Sequence, residues 1–510
     1  MKRFSTAIAV AAVIGLALTG CSGGSADGSS SAAPQTLTIA VEFPPTSLDP
    51  ADSTSGGEGY YWWTPVYDTL IKPMPDGTYS PGLALDWSYD DTLTALTLNL
   101  RDGVEFTDGA TFNADAVVAN IAHFKAGSGL GVNDTALIDN VEAVDEDTVI
   151  FHLTEPDPGL IKTLSGAVGA MASPDALDNE DLDVNPVGSG PYILDASKTT
   201  AGAEYVYTKK KDGESWDADS WKYDTLVLKV FGDVTARVNG LLSGEIDAAS
   251  ITTDSAEQVK SAGLTVTATP SGFLGMGNFD RNGTLQPALA DVRVRQAISY
   301  AFNREELLQA IGLGYGEVSQ QMFGPGMVGH EDSLDDTYSY DPEKAKKLMA
   351  EAGYADGFDV TMPDLGGGSA AGALVQQALA EIGIRVTFES VAPSEIYTAL
   401  FGGKYPMFTA GHGGTSWDFI KGDLEPDGVW NMLHATDPEL TALIETARNA
   451  TEEEQPDAYA AVNRWVTENA WYTVFYQGDS LYATQKDITT DTGSGAANNV
   501  PFLWTFTPTK

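Results

Sequence analysis

The side chains of this chain that could do chemistry fall into no catalytic pattern. Its five histidines, His123, His152, His330, His412 and His434, show neither an HExxH motif nor paired metal-ligand spacing. No metal and no cofactor is therefore expected, since a nickel site would need more nitrogen ligands or a chelator. The Gly-x-Ser-x-Gly match, Gly20-Cys-Ser22-Gly-Gly24, lies between an apolar leader and a polar linker, where no nucleophile elbow can form. Gly402-Gly403-Lys404 is followed by Tyr405 rather than Ser or Thr, so it is no phosphate loop. With 72 acidic residues, carboxylate pairs are too common to single out a glycosidase. The most site-like stretch is residues 407–419, where a strand end gives way to Gly411, Gly413 and Gly414 and then to an aromatic and an acid. His412, Thr415, Trp417 and Asp418 are candidate ligand contacts there. Tyr60, Trp62, Trp63, Phe273 and Trp430 are further aromatic candidates, because ligand pockets pair apolar faces with a few orienting polar groups. Core packing is the competing fate for each of them.

The elements that must position these residues are those of a large secreted protein. At 510 residues the chain is too long for a single core. A formal net charge of −44 leaves no surplus of cations to displace counterions from phosphates, which argues against nucleic acid as a partner. Lys2 and Arg3 followed by the apolar run 7–18 have the form of a secretory signal, too short to span a bilayer permanently. The run ends in Leu18-Thr-Gly-Cys21, which looks like a bacterial lipobox, so residues 1–20 are expected to be removed and Cys21 to carry lipid. Cys21 is the only cysteine, so no internal disulfide is expected. Residues 22–33 form a polar Gly/Ser linker with a reach on the order of 20 Å. The expected location is the outer face of the cytoplasmic membrane.

Leu37-Thr-Ile-Ala-Val41, Leu96 to Leu100 and Val149-Ile-Phe-His-Leu153 alternate with period two and predict strands. Asn113 is placed to cap a helix carrying Ala116, Val117, Ile121 and Phe124 on one face. Leu226 to Val230 reads as a strand, and Asp233 caps a helix over 234–243. One apolar-faced helix is predicted over 292–307, a helix capped by Asp341 follows, and Gln376 to Ile382 is helical before a strand over 385–388. Glycines 272, 275 and 277 mark a place where a chain crossing between two bodies could bend. Helices alternating with short strands indicate an α/β protein.

Arg101-Asp-Gly-Val-Glu-Phe106-Thr-Asp-Gly109, leading into Asn113-Ala-Asp-Ala-Val117, resembles the signature of the family 5 extracellular solute-binding proteins. Other landmarks follow in family order. They are Leu48-Asp-Pro50, Gly188-Ser-Gly-Pro-Tyr192, Gly244-Glu-Ile-Asp247, the Val294-Arg-Gln-Ala helix and Asp341-Pro-Glu-Lys-Ala-Lys-Lys-Leu348. The resemblance implies a two-lobed α/β fold of the type II periplasmic-binding-protein, or Venus-flytrap, kind, with an extra subdomain in lobe I. It places lobe I at 35–272 (subdomain about 75–185), lobe II at 273–476 and a return to lobe I at 477–510. It implies a non-enzymatic, monomeric receptor that hands a small solute to the permease of an ABC importer, and it makes the opening signature scaffold rather than site. In peptide-binding relatives the 411–419 region resembles Gly-Trp-x-x-Asp-Tyr, whose acid meets the peptide ammonium. Here His412 falls on the Trp and Thr415 on that Asp, and Asp418 can replace it only with a shifted loop. A peptide is the leading ligand, an oligosaccharide the alternative, and a secreted glycoside hydrolase the rival of another class.

Overall fold

Alternation builds the central sheet. Leu37, Ile39 and Val41 of the strand Thr36–Val41 enter one core while Ala40 enters another on the opposite face, as the two-residue period of a strand requires. This computed structural model describes all residues except 1–34, 54–56, 180, 212, 365–369, 393–394, 492, 494–498 and 510. The leader, Cys21 and the linker thus lie outside the described residues.

The strand Thr36–Val41 pairs in parallel with Thr225–Val230 and Ala248–Ile251. It sits inside a nine-stranded sheet. The order runs Met407–His412, Thr265–Asn278, Tyr472–Thr484, Ala248–Ile251, Thr36–Val41, Thr225–Val230, Glu204–Lys209 and Tyr192–Leu194, with Gly316–Val318 added against Tyr472–Thr484. Asp233 caps the helix Val234–Ser243 by accepting from Ala236 N, and Asn113 caps Ala114–Ala126 by accepting from Ala116 N. A separate antiparallel sheet of Ala84–Tyr89, Ala95–Leu100, Thr148–Leu153 and Ile138–Ala143 flanks this body.

Two large apolar cores result, and the two longest strands carry the chain between them. One core gathers residues from Leu37 to Leu228 and then Ala248, Tyr482 and Phe506, while the other gathers residues from Phe273 to Tyr476. Thr265–Asn278 and Tyr472–Thr484 pair antiparallel along their length, with register shifts at Pro270/Gly272 and Leu274/Gly275. Gly272 has φ +128°, and a Cβ there would stand 2.2 Å from the His412 carbonyl oxygen. Only glycine fits that bend.

Two sequence readings change. The single helix expected over 292–307 is two, Val292–Tyr300 and Arg304–Ile311, because the Asn303 side chain accepts from Glu306 N and caps a second start. The helix expected from Gln376 begins earlier, at Ala370. The opening signature is structural. Arg101 donates to the Gly82 carbonyl at 3.1 Å and lies over the Trp216 ring, and Ser189 of the Gly-Ser-Gly-Pro-Tyr turn donates to Asp68 at 2.7 Å.

His123, on the signature helix, meets Asp49 of the Leu-Asp-Pro loop at 2.7 Å. That hydrogen bond lifts its pKa above the ordinary value, against the opposing effect of burial. A raised folded pKa contributes stability that is complete below about 6.5 and lost as pH rises through the folded value. His123→Gln should therefore flatten the fall in melting temperature on going from pH 6 to pH 8 that the wild type shows, to about the slope left by other groups. Thermal denaturation across that range checks it.

Candidate functional site

The strand Met407–His412 ends beside the bend of the crossing strand, with His412 in register with Phe273. A short helix, Ser416–Phe419, follows and is fixed by a capping box. Thr415 Oγ1 accepts from Asp418 N, while Asp418 Oδ2 accepts from Thr415 N at 2.6 Å and from Thr415 Oγ1 at 2.8 Å. One turn of π-helix, Ile420–Leu424, comes next. Such turns are rare and concentrate at functional sites. This one carries Asp423 inward to zero exposure.

Asp423 organises the buried side of the segment. His412 Nε2 donates to its Oδ1 at 3.0 Å and the Tyr472 hydroxyl donates to the same oxygen at 2.8 Å, while Oδ2 has no hydrogen-bond partner. Arg281 is buried nearby, with its guanidinium 4.1 Å from the Trp471 ring centre. The His412 ring stacks on Trp430 at 4.7 Å and 6°. Trp430 meets Phe401 edge-on at 5.1 Å, and Phe401 stacks with Tyr397, which is 71% exposed. The structure thus joins Phe273, His412 and Trp430 into an aromatic ladder that surfaces at Tyr397.

The other side of the segment is clasped by residues 155–162 and the helix Leu160–Ser165, which packs in the first core. Lys162, on the helix Leu160–Ser165, places Nζ 2.5 Å from Asp418 Oδ2. Trp417 Nε1 donates to Asp157 Oδ1 at 3.1 Å, Lys421 stands 3.9 Å from Asp157, and Arg448 donates to Glu155 at 2.9 Å. Burial pushes the Asp418 carboxyl up, but Lys162 and Thr415 outweigh it and hold it below the ordinary range. Burial pulls the Lys162 ammonium down, and Asp418 more than restores it. Burial chiefly raises the Tyr60 pKa, with Lys162 lowering it and Asp418 raising it further.

Trp62 is 3% exposed and meets Tyr205 edge-on, yet it also lines a cavity of about 820 Å³ beside the crossing strand. Glu42, Phe43, Glu58, Ser250 and Asp479 line it too, and no lysine, arginine or histidine does so among the described residues. Glu58 accepts from Glu42 N and from Ser250 Oγ, and burial raises its pKa against those bonds. Trp63, Trp417 and Phe273 are almost wholly buried. In this conformation their faces serve core packing, and what Trp417 offers outward is its N–H. Lys162, Asp157, Asp423, Glu58 and Asp479 are site residues that sequence reasoning did not single out. The one local signal was the turn composition Pro156-Asp-Pro-Gly159 around Asp157.

The family described as bacterial extracellular solute-binding proteins, family 5, matches residues 78–421. The chain belongs to that family. Among its curated relatives, this family 5 protein is 30% identical over 358 residues to the dipeptide-binding protein of Escherichia coli K12, across 64% of this chain and 65% of that one. The glutathione-binding protein GsiB of Salmonella typhimurium is 31% identical over 376 residues, across 68% of each chain. The solved structure of DppA from Helicobacter pylori in complex with the peptide STSA superposes with TM-score 0.73 at 22% identity, covering 93% of this chain and 98% of that one. The fold is the two-lobed type II periplasmic-binding-protein fold, and family 5 proteins are extracellular solute-binding proteins. No helix among the described residues is long and apolar enough to cross a membrane.

Proposed function

We propose that this family 5 protein is the solute receptor of an ABC importer, closing its lobes on a peptide and passing it to a membrane permease without breaking a bond in it. It acts as a monomer, held to the outer face of the cytoplasmic membrane by lipid on Cys21. Lobe I comprises residues 35–272 and 477–510, with a subdomain at about 75–185, and lobe II comprises residues 273–476. The observation that carries the reading is the character of the contact between the lobes beyond the crossing strands. It includes the Lys162–Asp418, Trp417–Asp157 and Arg448–Glu155 contacts. The Lys162–Asp418 and Arg448–Glu155 pairs have partly exposed members and are worth little individually. The named contacts therefore rest chiefly on the buried Trp417–Asp157 hydrogen bond, worth about 1.5–3 kcal/mol, and the seam can open and close at modest cost. Ligand bound to both lobes then shifts the balance toward the closed form.

A peptide is supported by the names of the relatives and by the 820 Å³ cavity, a volume of drug-sized order. An oligosaccharide is the second reading, favoured by the aromatic ladder that reaches the surface at Tyr397. Mass spectrometry of solutes released on denaturing the purified protein distinguishes them. Small-angle scattering should show a smaller radius of gyration at ligand saturation, and an unchanged radius would end the clamp. Turnover of a chromogenic glycoside would replace the receptor by the hydrolase.

A further inference from the structure

We infer that the 820 Å³ cavity beside the crossing strand is a cation subsite, taking an ammonium or guanidinium group of the solute into the field of Glu58 and Asp479. The inference rests on the solute-receptor reading and adds the charge that the solute carries. Three carboxylates line the cavity, those of Glu42, Glu58 and Asp479. A single cation stands behind its wall. The buried Arg237 lies 3.5 Å from Glu42 Oε2 and acts on Glu58 as well. Three carboxylates against one guanidinium leave two negative charges uncompensated. Asp479 has no hydrogen bond or ion pair from its side chain among the described residues, and the charge that acts on it is that of Glu317. Burial raises the pKa of Glu58 and of Asp479 alike, so each is held charged at a cost that an incoming cation relieves.

A cleft lined by one sign of charge focuses its field and gathers the opposite charge. Phe43, 69% exposed, adds an aromatic face of the kind that attracts cations. A metal ion is the poorer guest, because no three acidic, histidine or cysteine side chains converge to hold one among the described residues. An organic cation suits the space, since a cavity of this volume takes a drug-sized solute. An anionic group would meet carboxylates with no facing cation.

Tripeptides Ala-X-Ala with lysine, arginine, norleucine, citrulline or glutamate at X, each with a free and with an acetylated amino terminus, are offered with spermidine to the full chain. Mass spectrometry counts what survives washing on wild type, Asp479→Asn, Glu58→Gln and Glu452→Gln, the last removing an exposed carboxylate outside the cavity. Wild type and Glu452→Gln should retain lysine and arginine over norleucine and citrulline, or free over acetylated termini, by about tenfold. The first preference assigns the subsite to a cationic side chain and the second to the terminal ammonium. Asp479→Asn and Glu58→Gln should each cut that preference to about threefold or less. Retention of spermidine without any peptide upholds the subsite and ends the peptide reading. Equal retention of charged and neutral peptides, or a preference that neither cavity variant moves, overturns the inference and leaves the peptide reading standing. Retention of no probe overturns both. Should the cavity variants fail to fold, the wild-type ratio decides.

Discussion

Replacing Asp423 by alanine is expected to lower the unfolding free energy by about 3–5 kcal/mol, the usual loss when one partner of a buried charged network is removed. The carboxylate has zero exposure and receives His412 Nε2 and the Tyr472 hydroxyl on one oxygen. Truncation leaves both donors unpaired, and it removes a negative charge from the field of the buried Arg281. Burial already pulls that guanidinium below its ordinary pKa, so it has little compensation to lose. Asp423→Asn keeps an acceptor oxygen and should cost roughly half as much. Urea denaturation measures both, and tryptophan fluorescence should report loosening of the His412–Trp430 stack. A loss under about 1 kcal/mol for the alanine variant would mean that the network is not holding this segment.

Trp417→Ala should cost about 3–5 kcal/mol as well, for a different reason. Its ring is 4% exposed, stacks with Tyr459 at 6.3 Å and lies under Arg448. Truncation leaves a cavity that a short capped helix cannot collapse to fill. Trp417→Phe separates two roles of the side chain. It keeps most of the packing but deletes the N–H that reaches Asp157 across the seam. The phenylalanine variant should therefore regain most of the stability while its ligand-free radius of gyration grows. Equal radii for wild type and Trp417→Phe would assign this tryptophan to packing alone.

Local rules made much of the framework legible. Asn113, Asp233 and Asp341 each accept from the backbone of the first helical turn, as their types predicted, and the alternating runs at 36–41, 95–100, 148–153 and 225–230 are strands. The cap at Asn303 is hidden in the sequence because the apolar face continues past it, so periodicity runs the two helices together. The site was less legible. The 407–419 stretch was found from its glycines, and the structure does gather His412, Trp430 and Phe273 there. Composition could not say which aromatic would face inward, and Trp63 and Phe273 are buried. Nor could it find Lys162, Asp157 or Asp423, whose meaning comes from partners brought together only by the folded lobes.

The two long strands that carry the chain between the cores also set a timetable. The second core is a single uninterrupted stretch of chain from Phe273 to Tyr476, whereas the first still lacks Tyr482 and Phe506 when that stretch is finished. A polypeptide delivered from its amino end can thus assemble its later half before its earlier half has all its parts. The earlier half is completed only when residues 482–506 join it.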